Sequence, residues 1–303
     1  MSSRVPVIET QDLTRYYGAV RGIEALALQV FPGEIFGFLG PNGAGKTTTI
    51  RLFLDLLRPT RGWARIFGLE VRRHSREVRH RVGNLPGEVA LYDPLKGREL
   101  LELLGSFRGP GGTRRMRELA VRLEMDLSRP VRAYSRGMKQ KLAVIQALMH
   151  DPELLVLDEP TLGLDPLMQR ELHALLQEEQ ARGKTVFLSS HSLPEVEQLC
   201  DRVGIVREGN LVAVEEVAAL RARRVRKMEL TLRSPVRDEE LHIPGVELLR
   251  RNGNSLEFAV WGDLQAVLKG VAALPVEDIV FPPAALEDIF LDFYRQGKVE
   301  TKG

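Results

Sequence analysis

The chain has 303 residues, enough to bury one large core and a smaller second one, and its 43 Lys+Arg against 41 Asp+Glu leave a formal net charge of +2. That balance offers no global attraction to nucleic acid or anionic lipid, so no nucleic-acid partner is expected. The single cysteine, Cys200, cannot form an internal bridge, and no signal-like start or apolar stretch near the roughly 20 residues of a membrane span is visible, so a soluble chain in a reducing cytosol is expected.

Residues 5 to 40 alternate apolar and polar around the turn signals Tyr17-Gly18 and Pro32-Gly33, which predicts short strands ending in the buried run Ile35 to Leu39. Behind that run stand Gly40, Pro41, Asn42, Gly43, Ala44, Gly45, Lys46, Thr47 and Thr48, which fit the pattern G-x-x-x-x-G-K-[ST]. The glycines let successive backbone N–H groups face one point, and a helix beginning near Lys46 adds its positive end there. A phosphate chain is the natural occupant. Lys46 can reach the β and γ phosphates of a nucleoside triphosphate, and the Thr47 hydroxyl can ligate the accompanying Mg²⁺.

Helical spacing over Thr47 to Leu57 predicts a helix that Arg58-Pro-Thr-Arg-Gly62 stops. The arginine-rich runs Arg72 to Arg81 and Arg221 to Lys227 read as solvated faces. From about Pro94 to Met149 the pattern is helical, with Gly109 to Gly112 as punctuation. The apolar strands Leu154 to Leu157 and Thr185 to Leu188 flank a helix over Leu167 to Ala181. Strands alternating with helices predict an α/β fold on a mostly parallel sheet.

After about Ala222 the pattern changes. Met228 to Leu232 alternates strictly, Asn252-Gly253 reads as a hairpin turn, and Asp263 can cap a helix running to Ala273. Val276 to Phe281 reads as a strand, Pro282-Pro283 as a stop and Leu286 to Tyr294 as a closing helix. The expected division is a main domain over 1–221, with a helical subdomain over about 94–150, and a small C-terminal α/β domain over 222–303.

A phosphate loop alone leaves kinases, GTPases and transport ATPases open. The run Leu154-Leu-Val-Leu-Asp-Glu159 narrows the choice, because an apolar strand there delivers two acids at its end. Asp158 is the candidate metal ligand and Glu159 the candidate general base, which is what phosphoryl transfer to water requires. No Asn-Lys-x-Asp run occurs, which disfavours a Ras-like GTPase. Between loop and strand lies Tyr134-Ser-Arg-Gly-Met-Lys-Gln-Lys-Leu142, a serine and a glycine at a helix start.

With that segment in place, residues from about 5 to 220 resemble the nucleotide-binding subunit of an ATP-binding cassette (ABC) transporter. The resemblance implies a P-loop NTPase cassette, with a mixed sheet core plus a helical subdomain, that binds ATP with Mg²⁺ and hydrolyses it to drive transport. It implies a homodimer in which the signature Ser135, Arg136, Gly137 and Met138 of one copy acts on the other, Ser135 and Gly137 meeting the γ-phosphate held there. Gly163 and Asp165 resemble the loop that contacts the other copy, His191 the histidine on the γ-phosphate, and Tyr17 the aromatic on adenine, with Tyr16 the competing choice.

Three departures from the family pattern stand out. Gly87 occupies a position where glutamine is usual, so Glu88 is expected to approach the metal or the membrane partner instead. Arg136 and Met138 replace the more usual glycine and glutamine, and Arg136 either strengthens phosphate contact or faces solvent. Gly83 to Leu91, this signature and Leu162 to Pro166 are similar to the ABC-2 type export branch, and Leu286 to Tyr294 to the closing helix of that branch's C-terminal domain. That implies ABC-2 type transmembrane permease subunits, docked through residues 83–92 and 94–125 on the cytoplasmic face of the membrane. The rival readings are a soluble ABC ATPase acting as an assembly factor and a regulator that binds ATP without hydrolysing it.

Overall fold

Polar interruptions in the N-terminal alternation do not break the strands there. The computed structural model describes residues 5–108, 112–222, 226–237, 241, 243–261 and 263–281. Strands β1 (Ile8–Tyr17) and β2 (Val20–Val30) are long, where short ones were expected, and pair antiparallel from Ile8↔Val30 to Tyr17↔Val20. The register shifts around Asp12 and Ala25, both at positive φ, absorb the pattern breaks as bulges and let each strand continue.

The buried strand β3 (Ile35–Leu39) feeds helix α1 (Lys46–Phe53), which ends well before Leu57. Asp55 adopts a left-handed φ of 53°, its N–H reaches the Leu52 carbonyl at 3.2 Å, and the Leu56 N–H reaches Arg51 at 2.8 Å. This Schellman closure stops the helix before the proline can. Strands β4 (Arg61–Ile66) and β5 (Leu69–Glu70) complete an antiparallel sheet of order β2-β1-β4-β5.

Helix α2 (Ser75–Arg81) then leads into β6 (Val82–Leu85). Helices α3 (Gly97–Ser106), α4 (Gly112–Arg122) and α5 (Arg136–Leu148) pack together and bury Leu100, Leu101, Met116, Leu119, Leu142 and Ile145. The chain continues through β7 (Leu154–Asp158), α6 (Pro166–Ala181), β8 (Thr185–Ser190), α7 (Leu193–Leu199), β9 (Arg202–Arg207) and β10 (Asn210–Glu216). These strands form a second sheet of order β10-β9-β3-β8-β7-β6, parallel except for β10.

Every residue of β3, β7 and β8 is buried, as the continuous apolar runs demand of strands covered on both faces. Phe187 lies at the centre of their core, with its ring 5.9 Å from Phe36, 5.6 Å from Phe38 and 5.2 Å edge-on from Phe53.

Contacts divide the chain between Val217 and Ala218, within helix α8 (Val217–Ala222). The second unit holds β11 (Arg226–Leu232), β12 (Val246–Asn252), β13 (Ser255–Val260), α9 (Leu264–Ala272) and β14 (Val276–Val280), in an antiparallel sheet of order β12-β13-β11-β14. Its core gathers Met228, Leu230, Leu256, Phe258, Val267 and Val271, and Asp263 caps α9 through the Ala266 N–H. The hairpin turn is Gly253-Asn254, one residue later than expected, because Asn252 still pairs with Ser255 and Gly253 supplies the positive φ. The expected closing helix at Leu286 to Tyr294 lies outside the described residues.

Two stability effects follow from the core of the larger unit. Phe187→Ala should cost about 3–5 kcal/mol in urea unfolding, since a fully buried ring with three aromatic neighbours leaves a cavity. Burial, aided by the Arg108 charge, pulls the His150 imidazole down to about 4 from 6.5. Its contribution is therefore complete above pH 6.5 and is lost as pH falls through 4, because the unfolded chain takes up the proton first. His150→Gln should flatten that part of a stability-against-pH curve.

Candidate functional site

Parallel pairing brings the carboxyl ends of neighbouring strands to one edge of the sheet, where clefts form in open α/β sheets. Leu39 at the end of β3 is in register with Ser190 of β8, and Asp158 at the end of β7 with Ser189. The phosphate loop, the two acids and His191 therefore leave the sheet side by side.

Gly45 takes a φ of 103°, and a Cβ there would lie 2.5 Å from the Gly22 carbonyl, so only glycine lets the loop pass under residue 22. Lys46, 6% exposed, curls back to donate to the carbonyls of Gly40 at 2.7 Å and Pro41 at 3.2 Å. Its Nζ is also 3.2 Å from Glu159 Oε1, an ion-pair distance without hydrogen-bond alignment. The other Glu159 oxygen meets His191 Nδ1 at 2.7 Å.

Thr47 donates its hydroxyl to Asp158 Oδ2 at 2.8 Å, and Ser189 donates to Asp158 Oδ1. The Glu159 N–H is shared between the carbonyl and the hydroxyl of Ser189. Glu159 itself has a φ of 49°, a left-handed conformation that turns its side chain toward Lys46 and His191 instead of along the strand. Ser189 thus holds both acids. Sequence reasoning missed that role, although the Ser189-Ser190 pair ahead of His191 was the available signal.

A cleft of about 320 Å³ opens over this cluster, lined by Tyr17, Val20, Arg21, Gly22, the residues Asn42 to Thr48, and Glu159. Of the two tyrosines, Tyr17 is the one in the cleft, 41% exposed, with its hydroxyl 3.4 Å from Thr48 Oγ1. Arg15 lies over its ring at 4.9 Å. Tyr16 is bonded to Glu24 at 2.9 Å and does not line the cleft.

Ser135 caps α5 by accepting from the Met138 N–H at 3.3 Å, and Asp165 caps α6 by accepting from Leu167 and Met168 at 3.0 Å each. The two loops are neighbours within one chain, since a Cβ on Gly137 would lie 3.1 Å from the Gly163 carbonyl. Ser135, Arg136, Gly163 and Asp165 are all exposed. Glu88 is exposed as well, and the residue of that loop set against Asp158 is Gly87, where an added Cβ would lie 3.0 Å from Asp158 Oδ2.

Fold and cleft together define a phosphate-loop nucleoside triphosphatase. The sequence pattern of the ABC transporter family matches residues 23–162. The chain is 41% identical over 232 residues to the bacitracin transport ATP-binding protein BcrA of Bacillus licheniformis, covering 75% of each. It is 35% identical over 292 residues to the Nod factor export ATP-binding protein I of Paraburkholderia xenovorans (strain LB400), covering 94% of this chain and 95% of that one. A solved structure of an ATP-binding subunit of an ABC transporter superposes with a TM-score of 0.67 at 33% identity, covering 72% of this chain and 92% of that chain. The chain belongs to the ABC transporter family, as an ATP-binding subunit that hydrolyses ATP for transport.

Because a side chain added at Gly87 would press against Asp158, Gly87→Val should disturb that acid. Steady-state phosphate release is expected to fall at least tenfold while Glu88→Ala changes it little.

Proposed function

We propose that this chain powers efflux as a homodimeric ATPase docked on separate ABC-2 type transmembrane subunits at the cytoplasmic face of the membrane, with residues 222–303 an accessory domain. No helix among the described residues is long and apolar enough to cross a bilayer, so the translocation path is assigned to those other subunits. Names of relatives favour export over a soluble assembly role, and the presence of both Glu159 and His191 favours hydrolysis over silent binding. The single observation that carries the reading is the Glu159 carboxylate, set between the Lys46 ammonium and the His191 imidazole.

A phosphate chain laid in the loop meets backbone N–H groups, the start of α1 and the Lys46 charge. Lys46 is then drawn from Glu159 toward the phosphate oxygens, which leaves the carboxylate to accept a proton from the attacking water while His191 holds its orientation. Thr47 and Asp158 fit a hard cation, being a hydroxyl and a carboxylate 2.8 Å apart, and they would hold Mg²⁺. Bound there, the ion would supply charge neutralisation at the phosphate oxygens.

Tyr17, exposed in the cleft, would stack on adenine. The signature segment Ser135 to Met138, at the amino end of α5 with Ser135 and Arg136 exposed, would act on the second copy, Ser135 and Gly137 meeting the γ-phosphate held there, with Gly163 and Asp165 beside them. Contacts that exist only with the γ-phosphate favour the closed pair before cleavage and not after, which couples hydrolysis to opening.

Lys46→Ala should abolish nucleotide binding in calorimetry. Glu159→Gln should keep ATP affinity, lower phosphate release about 100-fold or more, and accumulate a dimer on size exclusion with ATP. Normal turnover by Glu159→Gln would remove the assignment of the base.

A further inference from the structure

The two residues that link β8 to α7, His191 and Ser192, leave His191 little backbone freedom only if both flanks are tied. They are tied through one residue, Glu195, whose carboxylate accepts from Ser190 and whose N–H donates to Ser192. Helix α7 begins with Ser192 as its cap, accepting from the Glu195 N–H at 3.4 Å, and Glu195 stands three positions on, the spacing of a capping box. In an ordinary box the glutamate reaches back to the cap residue's own N–H. Here that N–H is taken by the Ser190 hydroxyl at 2.9 Å, and Glu195 Oε2 accepts the Ser190 hydroxyl proton instead.

Ser190 is fully buried and Glu195 is 6% exposed, so this chain of bonds runs away from water, where each bond is harder to replace. The same Ser190 accepts from the Gly40 N–H through its carbonyl at 3.1 Å. Ser190 therefore joins the first residue of the phosphate loop to the turn that carries His191. On the far side of the carboxylate, Glu195 Oε1 is buried without a hydrogen bond, 3.7 Å from His173 Nε2 on α6, itself buried without one.

We propose that Glu195 is a positioning residue for hydrolysis: through Ser190 it fixes the turn 190–192 so that the His191 imidazole meets Glu159. No hydrogen bond joins Glu195 to Glu159 or to a residue lining the cleft, so its route to the hydrolytic groups is the turn that carries His191, while a disturbance passed on through the Ser190–Gly40 bond would show itself in ATP affinity. A helix cap that served stability only would leave the hydrolytic step at its normal rate in whatever protein remained folded. The inference rests on the ATPase reading above, which turnover by the unaltered chain tests separately.

The experiment is a double-substitution cycle on the full chain, with single-turnover phosphate release followed for hours so that slow variants are measurable, and ATP affinity measured alongside. Glu195→Ala should lower the rate about tenfold with ATP affinity held within about twofold, and Glu195→Gln, whose amide oxygen still accepts from Ser190, should recover most of it. In a His191→Ala background, Glu195→Ala should change the rate less than about twofold, because the effect it transmits is already gone. Should Glu195→Ala unfold the chain, Ser190→Ala removes only the hydroxyl and should show the same pattern with a smaller loss. An undiminished rate, a tenfold loss that persists without His191, or a loss matched by weakened ATP binding would each overturn the proposal.

Discussion

A cation withdrawn from water organises this molecule. Removing an ammonium group from solvent costs several kcal/mol unless oxygen atoms surround it, and Lys46 is surrounded by the Gly40 and Pro41 carbonyls and by Glu159. Meeting that requirement forces the loop to fold back over its own lysine and brings the end of β7 against the start of α1. Glu159 in turn reaches His191. In the function proposed above, nucleotide binding and the hydrolytic groups would share one electrostatic account, with a phosphate chain competing with the Glu159 carboxylate for the Lys46 charge.

The backbone makes this arrangement possible at a cost. A non-glycine residue in the left-handed region is unfavourable by roughly 1 kcal/mol or more, and Glu159 adopts it with both of its flanks anchored, by Ser189 at its N–H and by the turn beyond β7. Asp158, one residue earlier, keeps strand geometry and faces Thr47. Adjacent acids on one strand end thus point at different partners, which a simple alternation of side chains along a strand would also separate but would not aim.

The helical region is tied to the sheet by another kind of force. Arg115 pairs with Glu179, which is 2% exposed, and Arg122 pairs with Glu171 and Glu178, so two arginines of α4 grip the carboxylates of α6. Burial of Glu179 raises the Arg115 pair above the fraction of a kcal/mol usual for exposed ions, whereas the Arg122 pairs lie nearer the surface. They join the helices over 97–148 to the element that Asp165 caps, beside the loop expected to face the second copy.

Much of the site was legible in the linear chain because its chemistry is written in short local patterns. A loop that must bend around phosphates requires Gly43 and Gly45 in αL, a buried strand requires five apolar residues in a row, and both are visible without coordinates. Length of the early strands was not, since bulges at Asp12 and Ala25 are decided by the pairing partner, nor was the early end of α1, which depends on Asp55 taking a conformation that glycine usually takes. Tyr17 was the aromatic that the resemblance offered, and Glu24 across the hairpin engages its competitor Tyr16. Spacing by itself set out a phosphate loop and a strand ending in two acids, the basis of the proposed grip on a triphosphate and of the proposed base for water. Only the parallel register of β3, β8 and β7 decided which side chains meet, because hydrogen bonds between strands distant in sequence, β3 with β8 and β8 with β7, set distances that no local pattern encodes.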